Sequence, residues 1–250
     1  MLASFHLHRR KSHPQGELVE SDVAQLRDAS LAAVYYARRK DRDFHDFLRI
    51  GPNRVLFALL ECIDGSKGSQ KIAPAVRTTF RQVGPQVFAK QDINLAEAMI
   101  ELCLQLNRTI LETADETRSC PAFVGCYEET LSTLWYVNAG HTAALVRDPA
   151  SVTELAATGL PLGLFSHATC DASALAMQPG GALLVVSRGI VEAKSRGAEF
   201  GLEAVKNEFR QMATTNAGEI GISILARVRA FVGTPPNPAN VTALALARSR

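Results

Sequence analysis

At 250 residues and 47% hydrophobic, the chain has enough apolar material to bury one sizeable core, and a single catalytic-type domain is expected. Its net charge of +2, from 27 basic and 25 acidic side chains, sets up no global field, which argues against nucleic acid and membrane surfaces as partners. No apolar run approaches the roughly 20 residues of a bilayer span, and Ser4-Phe5-His6-Leu7-His8-Arg9-Arg10-Lys11 lacks the apolar core of a signal peptide, so a cytoplasmic location is expected. The five cysteines, Cys62, Cys103, Cys120, Cys126 and Cys170, are odd in number and lack metal-finger spacing, which reads as buried free thiols.

The polar start, residues 1–29, reads as a tail, and its His6, His8 and His13 sit on no periodic scaffold. From Ser30 the pattern changes. Leu31 to Ala37, Phe44 to Ile50 and Val55 to Leu60 read as a three-stranded meander, with Gly51-Pro52-Asn53 turning between the last two. The charged run Arg38-Arg39-Lys40-Asp41-Arg42-Asp43 lies between the first two. A helix is expected over Ile72 to Val83, with Pro74 in its first turn. A longer one spans residues 95–113: Asn94 stands at the N-cap, Glu97 in capping-box spacing, and Leu95, Met99, Leu102, Cys103, Leu106 and Ile110 form the apolar stripe.

A central antiparallel hairpin follows, Phe123 to Tyr127 and Leu131 to Val137, joined by the polar turn Glu128-Glu129-Thr130. Trp135 and Tyr136 read as core residues. Gly140 interrupts the extended run, which resumes over Thr142 to Val146, so a bulge or tight turn displays His141. Further strands are expected at Val152 to Leu155, Ala174 to Met177 and Ala182 to Ser187, helices near Leu202 to Met212 and Gly218 to Val232, and a last strand at Val241 to Ala247.

Tyr136-Val137-Asn138-Ala139-Gly140-His141, followed by Gly159-Leu160-Pro161-Leu162-Gly163, resembles the metal-dependent protein phosphatases (PPM type), specifically their bacterial SpoIIE-like branch. The resemblance runs over residues 30 to 248. It implies an α+β fold for residues 30–250, an α/β sandwich of two antiparallel sheets flanked by helices. It also implies serine/threonine phosphatase chemistry with Mn²⁺ or Mg²⁺, and a phosphoserine-containing regulatory protein as partner.

The same resemblance places the site. Asp41-Arg42-Asp43-Phe44-His45-Asp46 stands where the family has Gly-Gly-Asp, an aromatic pair and a second Asp, so Asp43 matches a metal ligand and Asp46 the second acid. Without a gap, Glu61 takes the next ligand position, which keeps the strand before it intact; with an insertion, Asp64-Gly65 becomes the family's Asp-Gly pair. Residues 187 to 193, Ser-Arg-Gly-Ile-Val-Glu-Ala, match a family motif except that its metal-ligating Asp is Arg188. The terminal acidic pair is replaced by Ala239 and Asn240.

Hard divalent cations depend on carboxylate oxygens, and a two-metal phosphatase needs enough of them for two shells. With Asp43 and Glu61 retained, weak or absent metal binding is expected, and hydrolysis that is weak or lost. The alternative is a non-catalytic pseudophosphatase that binds a phosphoprotein or signalling partner. Arg188 either pairs with Asp43 or Glu61 or points to solvent. His141 reads as a general acid or as a hydrogen-bonded structural histidine.

Overall fold

Alternate side chains along a strand point to opposite faces, and here both faces of the two main sheets are covered, which builds four layers. A computed structural model of the chain describes residues 18–21, 24–36, 43–62, 69–89, 92–114, 119–142, 144–167, 170–233 and 241–249. In chain order the elements are β1 (Leu18–Glu20), β2 (Ala24–Gln25), β3 (Ala29–Tyr36), β4 (Asp43–Ile50), β5 (Arg54–Glu61), α1 (Ser69–Phe88), α2 (Leu95–Thr113), β6 (Ala122–Glu128), β7 (Thr133–Ala139), β8 (Ala144–Arg147) and β9 (Val152–Glu154). They continue with β10 (Ser173–Ala176), β11 (Ala182–Val186), α3 (Arg188–Val191), β12 (Lys194–Ser195), β13 (Ala198–Glu199), α4 (Leu202–Gln211), α5 (Ala217–Val232) and β14 (Thr242–Arg248).

One sheet runs β10-β7-β6-β5-β4, the other β1-β3-β14-β11-β8-β9 with β2 also on β3, and every pair between named strands is antiparallel. Val55, Phe57 and Leu59 of β5 meet Leu31 and Ala33 of β3 and Leu244 and Leu246 of β14 in the core between the sheets. The alternate residues Leu56, Ala58 and Leu60 turn the other way, into a second core under α1 and α2. Ala32, Val34, Ala243 and Ala245 do the same beneath α4 and α5. The expected sandwich of two antiparallel sheets flanked by helices is the architecture observed.

Three expectations change. The three-stranded meander does not form: β4 and β5 pair, but β3 lies in the other sheet beside β14, from Thr242↔Tyr35 to Arg248↔Ala29. The reason is that Leu31-Ala32-Ala33-Val34 is apolar on both faces, which suits an interior strand under a helix. A Cβ at Gly221 of α5 would stand 2.6 Å from Val34 Cγ2, so glycine there is what lets α5 approach β3. Within the expected tail of residues 1–29, Leu18 to Glu20 and Ala24 to Gln25 pair with β3 as strands. Finally, α1 extends at both ends and contains Pro74 and Pro85 in its interior, held by the buried Ile72, Val76 and Phe80.

Gly125 in β6 lies opposite Phe57, and a Cβ there would enter the Phe57 ring. Gly125→Ala is expected to lower stability by about 1–3 kcal/mol, because the fully buried Phe57 ring has to shift to admit the methyl group. Urea unfolding measures this as a lower midpoint at unchanged slope.

Candidate active site

The site grows out of a single register. Asp43, the first residue of β4, is the direct partner of Glu61, the last residue of β5, and both are buried. Both share parity with the residues that face the core between the sheets, so the two carboxylates stand together at the edge of that core. His45, two residues after Asp43, faces the same way and packs against Tyr35 of the opposite sheet, ring centroids 4.6 Å apart.

Asp46 is three residues from Asp43 and therefore points to the other face. There it is clasped by α1: Arg77 Nη1 donates to Oδ2 at 2.9 Å, and Arg81 donates from Nε and Nη2 at 2.7 Å each. Its carboxylate ties α1 to β4, and the fold does not bring it to Asp43 and Glu61. The register alternative, Asp64, and the substituted positions Ala239 and Asn240 lie outside the described residues.

Arg188 reaches the site by its backbone. After β11 the chain bends at Ser187, whose Oγ accepts the Thr242 N–H at 2.9 Å, and α3 begins. The first N–H groups of a helix have no partner within it, and the Arg188 N–H donates to Glu61 Oε1 at 2.9 Å. The guanidinium turns outward to Glu192 Oε1 at 3.0 Å, and with these side chains 46% and 47% exposed the pair is a surface one. Of the two readings of Arg188, the solvent-facing one describes its side chain.

His141 lies against the same oxygen. Its Nδ1 is 2.6 Å from the Thr142 carbonyl oxygen, which can only accept, so Nδ1 carries a proton. Nε2 sits 3.1 Å from Glu61 Oε1, yet off the line of a hydrogen bond. The ring is fully buried, which suits a structural role; a general acid has to reach its leaving group.

Two asparagines hold the motif loops. Asn138 Oδ1 accepts the His141 N–H at 2.8 Å, and its Nδ2 donates to the Leu155 carbonyl at 3.0 Å. Gly140 has φ +67°, and a Cβ on it would stand 2.6 Å from the Pro161 ring, so the two motif loops touch where glycine is required. Asn107 of α2 is 2% exposed; its Oδ1 accepts the Gly163 N–H at 2.8 Å, and its Nδ2 donates to the Phe165 carbonyl at 2.9 Å. Nothing in the sequence reading singled out Asn107. Its signal is a polar residue between Leu106 and Ile110 on the buried face of α2.

The described residues do not fit a two-metal centre. No three His, Cys, Asp or Glu side chains among them converge as a metal cluster, and Glu61 Oε1 is already engaged by the Arg188 N–H with His141 alongside.

Two facing antiparallel sheets with helices outside, and acidic strand ends meeting beside an Asn-Ala-Gly-His turn, define the metal-dependent protein phosphatase fold. A family model described as Stage II sporulation protein E (SpoIIE) matches residues 65–248, and the chain belongs to that family. Among solved structures it is similar to the RsbU and RsbW domains of Rv1364c from Mycobacterium tuberculosis, with 20% identity and TM-score 0.73, covering 95% of this chain and 64% of that one. It is similar to the PP2C phosphatase domain with a regulatory-domain fragment of SpoIIE from Bacillus subtilis, at 14% identity and TM-score 0.71, covering 88% and 62%. The SiaA-PP2C domain of Pseudomonas aeruginosa gives 13% identity and TM-score 0.71, covering 88% and 86%. The chain thus spans less than two thirds of the first two. No curated protein matches it. Asp43 and Glu61 precede the residues that the family model matches, and the β4–β5 register pairs them.

Asn107→Ala leaves the Gly163 N–H and the Phe165 carbonyl without their partner and is expected to cost about 1–3 kcal/mol. Hydrogen exchange at the Gly163 amide should accelerate more than exchange within β6, because the loss is local to the loop.

Proposed function

We propose that this chain is a SpoIIE-like phosphatase domain that recognises a phosphoserine-bearing regulatory protein and hydrolyses it weakly or not at all. The observation that supports the reading is the Arg188 side chain, which turns out to Glu192 at 3.0 Å at the position where the resemblance has a metal-ligating Asp, so that residue 188 adds no carboxylate to Asp43 and Glu61. In those enzymes a pair of divalent ions supplies a hydroxide nucleophile and neutralises phosphoryl charge. Here Asp43 and Glu61 supply two carboxylates, and at most one weak Mn²⁺ or Mg²⁺ ion follows from that number.

Recognition needs less than hydrolysis. The half-exposed Arg188 guanidinium puts a fixed positive charge and a planar donor fork at the rim, suited to a phosphoserine. Leu160 and Phe165, about half exposed on the loop pinned by Asn107, offer apolar area to a protein carrying that group. The second reading, a non-catalytic pseudophosphatase, keeps this recognition surface and gives up turnover altogether; the Arg188 substitution is what favours it. Among the described residues no helix is long and apolar enough to cross a membrane. A cytoplasmic setting, where such regulators act, belongs to the same proposal.

Calorimetry and an aryl phosphate assay test it together. The parent should bind Mn²⁺ at no more than one site, no tighter than millimolar. Arg188→Asp should tighten that binding by about 10-fold and bring Mn²⁺-dependent turnover that Glu61→Ala removes. Two micromolar sites in the parent would overturn the proposal. Parent turnover near zero alongside phosphopeptide binding selects the second reading.

A further inference from the structure

Cys62 and Cys120 flank the site on its helix side. β5 and β6 pair with Leu60 opposite Ala122, and continuing that register sets Cys62 directly opposite Cys120. The Glu61 N–H donates to the Pro121 carbonyl at 2.9 Å, so 61 and 121 form a hydrogen-bonded pair and 62 and 120 fall in the next, non-hydrogen-bonded position. In that position Cα atoms lie about 4.5 Å apart, inside the range that a disulfide spans. Both side chains share the parity of Leu60 and Ala122 and enter the core under α1 and α2, where the two sulfurs are already 3.8 Å apart as free thiols.

We propose that Cys62 and Cys120 are a redox modification site, closing to a cross-strand disulfide when a peroxide reaches them. The sulfurs close by about 1.8 Å, within reach of side-chain rotation. Cys62 reacts first, because it keeps slight exposure while Cys120 has none. Its sulfur attacks one oxygen of hydrogen peroxide, the O–O bond breaks, and the thiol proton leaves with the departing hydroxide as water, giving a sulfenic acid. The Cys120 sulfur then attacks the Cys62 sulfur, the S–O bond breaks, and hydroxide leaves with the Cys120 proton as a second water. Two thiols lose two electrons and one peroxide becomes two waters. Both sulfurs are buried, so the first step is slow and needs sustained oxidant.

The bond would brace the site whether or not the site hydrolyses anything. Cys62 follows Glu61 directly, and Cys120 exchanges backbone hydrogen bonds of 2.8 and 3.0 Å with Leu162 of the Gly-Leu-Pro-Leu-Gly loop. The crosslink therefore ties the strand end bearing Glu61 to the Gly-Leu-Pro-Leu-Gly loop.

The competing pair is Cys103 of α2 with Cys170, also buried partners, where the Cys103 hydrogen bond holds the Cys170 thiol down. The test treats the full chain with hydrogen peroxide and maps peptides without reduction. The expected result is a Cys62–Cys120 linked peptide lighter by two hydrogens, reversed by dithiothreitol, with a melting midpoint raised by roughly 5 °C. Cys103→Ser should keep the link and Cys120→Ser should abolish it. A dominant Cys103–Cys170 link, links only between chains, or sulfinic acid at Cys62 without a link would each overturn the proposal. Mapping uses the unaltered chain, so its outcome stands whether or not either variant folds.

Discussion

The pairing of β4 with β5 is the constraint from which the rest of the site follows. With Asp43 opposite Glu61, a period of two sends both carboxylates towards the core between the sheets and sends Asp46 to the helices. A slip of one residue would exchange these roles and drive Phe44 out of its core under α1. The clasp of Arg77 and Arg81 on Asp46 opposes that slip, because it fixes the outward face of β4 to a helix. One acidic residue thus secures the register that brings the other two together.

Around that pair, buried side-chain amides hydrogen-bond the motif loops. Asn138 and Asn107 are almost fully buried, and each satisfies one backbone donor and one backbone acceptor in an otherwise irregular loop. Buried loop backbone is costly without partners, so these amides allow non-repetitive chain to sit at the core's edge. Gly140 against Pro161 removes what slack remains. The loops of the site are therefore held in place by buried hydrogen bonds.

What the sequence makes legible is local. The helix of residues 95–113 declares itself through its stripe and its cap, and Asn94 Oδ1 does accept the Ala96 and Glu97 N–H groups. The central hairpin reads correctly because its alternation and its turn lie within a few residues of each other. The placement of β3 is illegible for the opposite reason, since its partner β14 lies more than two hundred residues away and no spacing announces it. Asp46 was open to a parity argument, because three residues along a strand reverse the face, and matching acids to a motif hides that. The N–H of Arg188 leaves no trace in a sequence, because every residue but proline has one.

That last contact also separates two questions about the site. Glu61 is buried, and a buried carboxylate without partners is expensive, so the Arg188 N–H accounts for its being tolerated there. The stabilising group is backbone, whereas the group that changes the chemistry is a solvent-facing side chain paired only with Glu192. Either an acid or an arginine at this position would therefore leave the support of Glu61 intact. A fold that depends on its amides can lose a ligand without losing its shape. At this position the support of the fold comes from backbone and the local chemistry from side chain, so the two can vary independently.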